Sequence, residues 1–443
     1  MSPQNVPART TVCVVGCGPA GAMLGLMLAR GGIDVVVLEK YPDFFRDFRG
    51  DTIHASTLQV LADLDLLAGF EQLPQQRTTT IAMMTDEGMV TLGDFTRLPG
   101  RFQHLSMVPQ WDFLSFITAE AQRYPTFTLC TDAEAVGLVE QGGAVRGVRY
   151  RTKGDGGEHE VRAVLTVAAD GRHSTVRRAA GLSPMEFGAP MDLLWYRIPK
   201  GPGDPEGSFA RLVPGRLFPM IDRRTYWQGA YTMPKGTFAT LKAGGIEALR
   251  ADLHRAMPFL GKRIDEALRS WDDTGFLEVR VNRLRRWHRP GLLCIGDAAH
   301  AMSPIAGVGI NLAIQDAVAA ANLLSGPLRA GTLTERDLAR VQRRRSLPTW
   351  LTQRVQLAVQ RQIISAIGDA GGRATVPRPV RVLARIPLLL RLFSRFMAIG
   401  IRNERVAPGI RRPAPADGHV GHPSDPVPEP RAAEPAGHRP DRA

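Results

Sequence analysis

Two short apolar runs, Val12 to Val15 and Val35 to Leu38, bracket a stretch from Ala20 to Arg30 in which apolar residues recur at helical spacing. Runs of the first kind suit buried strands and the second suits a helix, so residues 12–40 predict one strand, turn, helix and strand unit. Helical spacing returns at Leu58, Leu61, Leu64 and Leu67, after a start at Thr52 or Ser56, and again at Phe113, Phe116 and Ile117, beyond Pro109, Gln110 and Trp111. From 126 to 168 the runs FTLC, EAVGLV and VRGVRYR, broken by QGG and KGDGG, predict a small β-meander. A buried strand then ends at Asp170-Gly171, and Ser174 can cap a new helix. Between Met185 and Pro234, aromatic strand-like segments separated by Gly and Pro predict a second, antiparallel lobe. Helical stretches near 238–257 and 260–271 follow, then a strand-like FLEVRVNRL. A buried strand from Leu292 to Ile295 and an Ala-rich helix opening near Gly307 resume the character of the first lobe. The last third reads as helical, with Leu351, Val355, Val359, Ile363 and Ile367 on one face.

The expected fold class is therefore α/β. A first lobe in two parts, 10–184 and 281–330, carries the small meander, and an antiparallel sheet with helices at 185–280 forms a second lobe. C-terminal helices at 331–410 and a disordered tail at 411–443, rich in Pro, Ala, His and Arg, complete the chain.

Composition changes this picture in two places. The four cysteines, Cys13, Cys17, Cys130 and Cys294, have no CxxC spacing and sit mostly in strand-like runs, which suits reduced core residues of a cytoplasmic protein. The first ten residues lack an apolar signal core, and no run of about 18 uncharged apolar residues occurs, so neither secretion nor a membrane span is expected. The net charge of +13 is localised: residues 329–412 hold 18 arginines, no lysine and four acids. A solvated arginine-rich face is the plain reading of that excess, ahead of attraction to a membrane surface or an acidic partner, and nucleic acid is not expected. The pattern sets no oligomeric state.

Chemistry enters with the turn of the first unit. Gly16, Gly18 and Gly21 form GxGxxG with Pro19 and Ala20 between them. The first glycine permits a tight turn, the second lets a pyrophosphate approach the backbone, and the third lets helix and strand touch. Glu39 lies 18 residues past Gly21, the position of a carboxylate that holds a ribose hydroxyl and repels a 2′-phosphate. FAD or NAD is thus expected rather than NADP. Lys40 follows it, and Arg49 could pair with phosphate or be surface charge. Two further strand ends carry acids, Asp170 and Asp297, and Gly307, Val308, Gly309, Ile310 and Asn311 open a helix whose N–H groups would favour an anion. His300, in GDAAH, reads as a structural residue under that loop, and no metal site is read.

Three separated elements, GCGPAG with Glu39, ADG at 169–171, and GDAAHAMSP with GVGIN at 296–311, together resemble the class A FAD-dependent aromatic hydroxylases, the para-hydroxybenzoate hydroxylase family. The likeness covers roughly residues 10–400. It implies a Rossmann-type FAD-binding domain, bound FAD, and NADPH or NADH as a transient electron donor with no second GxGxxG unit. It also implies hydroxylation by O₂ of an aromatic or polyketide-like small molecule through a flavin C(4a)-hydroperoxide. By resemblance Gly16, Gly18 and Glu39 hold the ADP half and Arg49 and Gln110 contact the cofactor. Asp170 lies near the pyrophosphate, Asp297 near the ribityl chain, and the Gly307 to Asn311 helix start near the flavin ring. The substrate-activating residue is not fixed; His54, Tyr196, Arg197 and Tyr231 are its candidates. The Trp-x-Trp-x-x-Pro signature of flavin halogenases is absent. Two alternatives stand beside the hydroxylase: an FAD-dependent reductase or dehydrogenase of a lipid or isoprenoid, without oxygen insertion, and a membrane-surface flavoprotein that acts by partner binding.

Overall fold

The computed structural model describes residues 6–44, 52–154, 156–368 and 378–411. Arg49, and the tail expected to be disordered except for its first residue, lie outside the described residues. The first apolar unit forms as its pattern requires: strand Arg9–Val15, helix Pro19–Arg30 and strand Val35–Leu38. Every residue of the second strand and nearly every residue of the helix is buried, which is why both are apolar on all sides rather than on one stripe. They enter an eight-stranded sheet whose central order is His288–Arg289, Leu292–Cys294, Glu158–Ala168, Arg9–Val15, Val35–Leu38 and Phe127–Cys130. The last five run parallel, with Val15 opposite both Leu38 and Ala168, Ala168 opposite Cys294, and Leu38 opposite Cys130. Strands Ala133–Gln141 and Ala144–Thr152 join antiparallel along the first half of Glu158–Ala168 and make the meander. FTLC is not part of it: Phe127 to Cys130 are a parallel strand of the central sheet, a pairing that only the long-range register reveals.

A seven-stranded sheet takes the order Thr274–Leu277, Met191–Pro199, Tyr226–Pro234, Arg216–Asp222, Phe209–Val213, Thr80–Thr85 and Gly88–Asp94. It is antiparallel except where Phe209–Val213 meets Thr80–Thr85. The strands between 80 and 94, which carry no strong alternation and fall inside the expected first lobe, extend this second sheet instead. FLEVRVNRL likewise divides: Thr274–Leu277 joins this sheet, while Asn282–Leu284 pairs with Pro184–Glu186. Alternation along the strands gives the sheet two buried faces. Leu194, Tyr196, Ile198, Phe218 and Tyr231 pack with Leu249 and Leu253 of helix Ile246–Ala256, and Leu193, Trp195 and Ala230 pack with Val279 on the other side.

Helix Val308–Arg329 returns to the central sheet and lies against Pro19–Arg30; a Cβ added at Gly296 would sit 3.2 Å from both Ala20 and Ala313. The 305–329 segment is long and apolar enough to cross a membrane, yet 72% of its 18-residue apolar window is buried inside the protein, as in a core helix. Helices Glu335–Gly368, Arg378–Arg385 and Pro387–Ala398 follow. The last is anchored through Ser394, whose hydroxyl accepts the Asp94 N–H at 2.9 Å.

Candidate active site

Because Val15, Ala168 and Cys294 end adjacent parallel strands, the three motifs that follow them emerge side by side at one edge of the sheet. The Gly16 N–H donates to Leu38 O at 2.8 Å, Ala169 N–H to Val15 O at 2.8 Å, and Ile295 N–H to Ala168 O at 3.0 Å. Gly16 has φ +95°, and a Cβ there would fall 2.7 Å from Asp170 Cα. A Cβ at Gly21 would lie 1.9 Å from Gly16 O, so the helix can close on the turn only without one. A Cβ added at Gly18 would meet nothing within 4 Å among the described residues, which leaves an open cradle in front of the first N–H groups of Pro19–Arg30. Glu39 accepts from the Cys17 N–H at 2.8 Å and from the Tyr41 N–H at 3.3 Å. Lys40 lies over the Tyr41 ring, 4.8 Å from its centroid.

Asp170 accepts from the Val176 N–H at 3.2 Å through Oδ2, while Oδ1 is buried with no partner among the described residues. Burial outweighs its hydrogen bonds from Ser174 and the backbone and raises the carboxyl above its ordinary value. Asp297 is half-exposed and receives Arg172 at 3.4 Å; the same guanidinium reaches Glu278 O at 3.3 Å. An unsatisfied buried acceptor beside an open glycine cradle is a site that has room and a use for a polar ligand.

The loop from 296 to 311 is braced from below. His300 is fully buried, with Nε2 2.6 Å from Asp316 Oδ2, and its ring lies 4.9 Å from that of Trp287. Asp316 also accepts the Gly296 N–H at 3.1 Å and Arg345 Nε at 2.9 Å. Burial pushes Asp316 upward, but His300 and Arg345 overcome it and hold the carboxyl below its ordinary value. Three glutamines of Glu335–Gly368 hold the loop backbone: Gln353 donates to Asn282 O and Ala301 O, Gln356 to Ser303 O and Ile305 O, and Gln360 to the Ser303 hydroxyl. Ala306 and Gly307 are both left-handed, at φ +66° and +60°. They turn the chain into Val308–Arg329, whose first residues are Val308, buried, then Gly309 and Ile310, half-buried. Asn311 is buried, and its amide serves the protein: Oδ1 accepts from His54 N–H and the Thr57 hydroxyl, and Nδ2 donates to Thr52 O and Gly307 O. What this turn can offer a ligand is backbone N–H, not the Asn311 side chain.

Strand parity separates the candidates for substrate activation. Tyr196 and Tyr231 point into the helix-covered face, away from the nucleotide lobe, and this corrects the expectation for both. Tyr196 is fully buried with its hydroxyl on Met220 Sδ at 3.5 Å, and burial drives its phenol far upward. Tyr231 donates to Asp252 at 2.6 Å and is likewise raised by burial. Arg197 lies on the opposite face, over the rings of Trp111 at 5.8 Å and Tyr226 at 5.4 Å. Gln110 begins helix Gln110–Ala121 beside Trp111 and is half-buried. His54 is buried at the start of helix Ala55–Asp63, its Nδ1 2.8 Å from Met397 O, and burial lowers its pKa to about 4, so the ring is neutral.

Residues 9–354 match the family model described as the FAD binding domain. The chain belongs to that family. It is 34% identical over 403 residues to the 6-methylpretetramide 4-monooxygenase of Streptomyces rimosus, spanning 90% of this chain and 94% of that relative. PqsL of Pseudomonas aeruginosa, solved in complex with 2-aminobenzoylacetate, superposes with a TM-score of 0.70 at 22% identity, over 82% of this chain and 100% of that one. The OxyS anhydrotetracycline hydroxylase of S. rimosus gives 0.68 at 22% identity, over 89% and 77%. These two share the fold. The protein is an FAD-dependent monooxygenase, and NAD(P)H is the usual electron donor of its family. No local pattern signals Arg172 or the Asp316–Arg345 pair, whose partners are far apart in the chain. The glutamine ladder has helical spacing but is legible only once the loop it holds is known.

Proposed function

We propose that this FAD-dependent monooxygenase hydroxylates a fused-ring aromatic polyketide. The observation that carries the reading is the convergence of the Gly16 turn, Asp170 and Asp297 at the ends of three adjacent strands. The assigned substrate class of the 34%-identical relative supports the choice of ligand. In this reading residues 10–184 and 281–330 form the cofactor lobe and 185–280 the substrate lobe. The Gly16, Gly18 and Gly21 turn, with Pro19 and Ala20, receives the pyrophosphate at a positive helix end. Glu39, held by the Cys17 and Tyr41 N–H groups, would hold the adenosine ribose. Asp170 offers its unpaired Oδ1, and Asp297, held by Arg172, binds the ribityl chain. By the family resemblance Lys40 and Gln110 would add contacts to the cofactor; Arg49, the third such expectation, lies outside the described residues.

When bound, FAD supplies the reductive activation of O₂ and the transfer of one oxygen atom to an electron-rich ring. The chain's own work is electrostatic and steric. The N–H groups of Val308, Gly309 and Ile310, at a positive helix end, would favour negative charge on the ring of the cofactor. The apolar face around Leu193, Ala230 and Val279 excludes water from the substrate side. Asn311 holds the Thr52–Thr57 segment against this helix start, and buried, uncharged His54, its Nδ1 on Met397 O, moves no proton at neutral pH. Purified holoprotein should oxidise NAD(P)H faster when hydroxylated fused-ring aromatics are added, and mass analysis should find one added oxygen atom. Stimulated oxidation with no oxygenated product from any ring tested would overturn the reading.

The C-terminal helices favour a second property, contact with an anionic lipid surface. Val382, Ile386, Leu388, Leu389 and Leu392 are exposed, Leu388 at 65%, on helices that also carry Arg381, Arg385, Arg391 and Arg395, with no acid from 378 to 403. Exposed apolar side chains among arginines are the pattern of an interfacial helix. The protein as a whole we place in the cytoplasm, in line with four free, buried cysteines. Full-length protein should co-sediment with phosphatidylglycerol vesicles and not with phosphatidylcholine vesicles, and salt should release it. Equal binding to neither would remove this reading.

A further inference from the structure

The second sheet carries two buried hydrogen-bond donors that the protein itself leaves unused. Trp195 and Gln228 are 8% and 4% exposed, and among the described residues neither Trp195 Nε1 nor Gln228 Nε2 has a partner. In the antiparallel pairing Trp195 stands opposite Ala230 and Arg197 opposite Gln228, so the two side chains share one face as diagonal neighbours. The orientation of the Gln228 amide is fixed chemically. Its Oε1 accepts from both Nε and Nη2 of Arg223 at 3.2 Å, and a flip would press the NH₂ against the guanidinium. The NH₂ therefore points away from Arg223. A buried donor left unsatisfied is costly, and two on one face mark a surface shaped for an acceptor that is not part of the chain.

The surroundings say which acceptor. Leu193, Ala230 and Val279 make the face apolar between these donors, and Arg197 over Trp111 brings it against the helix that starts at Gln110. The adjoining segment ties it to the cofactor edge: Glu278 O receives Arg172, the partner of Asp297, and the Asn282 N–H donates to Ala301 O at 3.2 Å in the braced loop. Both donors offer protons and no lone pairs, beside the cations Arg197 and Arg223.

We propose that Trp195 Nε1–H and the Gln228 NH₂ recognise two oxygens on the edge of a flat ring system, carbonyl or ionised hydroxyl, and so set which ring edge faces the cofactor. This rests on reading the sheet face as the substrate side of the monooxygenase. The two residues act as specificity determinants and take no part in oxygen transfer.

The test uses full-length holoprotein and two probes: an anthraquinone with hydroxyls flanking its carbonyl, and anthracene, which has the shape without the oxygens. Binding is followed by the change in flavin absorbance. Trp195→Phe keeps a ring and removes the N–H; Gln228→Glu keeps the acceptor for Arg223 and replaces the NH₂ with an oxygen. Each should weaken the anthraquinone about tenfold, near 1.4 kcal/mol, and leave anthracene binding, flavin content and substrate-free NAD(P)H oxidation unchanged. Equal losses for both probes, no loss for either, or a wild-type protein that does not prefer the anthraquinone would overturn the proposal. Discrimination without any oxygen insertion would overturn the reaction assigned above and not this pair; turnover with unaltered discrimination would do the reverse.

Discussion

The Glu39 carboxylate reaches across 22 residues of chain to accept the Cys17 N–H at 2.8 Å, so the acid that ends the second strand also shapes the glycine turn after the first. Its loss should therefore be felt twice. In Glu39→Ala we expect FAD affinity to fall about 10- to 100-fold, as for a hydrogen bond to a charged group, and the apoprotein to lose about 1–2 kcal/mol. Glu39→Gln retains one acceptor for Cys17 and should recover most of the stability but less of the affinity. Flavin fluorescence titration and apoprotein melting separate the two effects.

Gly18 and Gly21 should fail differently. Nothing in the protein lies within 4 Å of a Cβ at Gly18, and its φ is −71°, so Gly18→Ala should fold normally and bind FAD weakly. A Cβ at Gly21 meets backbone oxygen at 1.9 Å, so Gly21→Ala should lose apoprotein stability outright. Equal apoprotein melting temperatures for the two variants would contradict this.

The same comparison applies at the second glycine pair. A Cβ at Gly309 has only Met302 at 3.8 Å, whereas at Gly307 it meets Thr52 Oγ1 at 2.7 Å on a left-handed backbone. Gly309→Val should thus leave the fold largely intact while slowing reduction by NADPH and loosening FAD. Gly307→Ala should cost roughly 1–3 kcal/mol of stability, the scale of a strained left-handed residue. Stopped-flow reduction rates set beside apoprotein melting distinguish a ring-site defect from a structural one.

Much of this site was legible because its signals are local. Strand, turn, helix and strand at 9–38 and the aromatic strands of 191–234 follow from periods that the chain states outright. What was hidden depends on register and on partners distant in sequence. Tyr196 and Arg197 are adjacent and equally suggestive as letters, yet the pleat sends one to the core and the other toward the nucleotide lobe. Strands 80–94 belong to the second sheet because Ala210 pairs with Met83, a contact across more than a hundred residues that no local pattern announces. Asn311 belongs to the helix start expected at the flavin, yet three of its four side-chain hydrogen bonds hold residues 52–57 and the fourth goes to Gly307 O.

His54 gives a pH signature. Burial puts its folded-state pKa near 4 against 6.5 ordinarily, so the unfolded chain takes up a proton that the folded protein refuses. Stability is complete above pH 6.5 and is lost as the pH falls toward 4, by at most about 3 kcal/mol from this group. His54→Asn should flatten the fall in melting temperature over that range; parallel wild-type and variant curves would contradict it.

Asp316 and Arg345 are both essentially inaccessible and 2.9 Å apart, joining the helix that starts at Gly307 to the one that carries the glutamine ladder. Arg345→Met leaves a buried carboxylate with only His300 and the Gly296 N–H, and should destabilise by about 3–5 kcal/mol. Chemical denaturation of the apoprotein measures this without reference to catalysis.

The central claim, that this FAD site inserts oxygen into an aromatic ring, is tested most directly by turnover under isotopically labelled O₂. Holoprotein, NAD(P)H and a fused-ring hydroxylated aromatic should yield a product carrying one heavy oxygen atom from the gas and none from water. A product that is reduced or dehydrogenated, with no label from O₂ although NAD(P)H is consumed, would contradict the account.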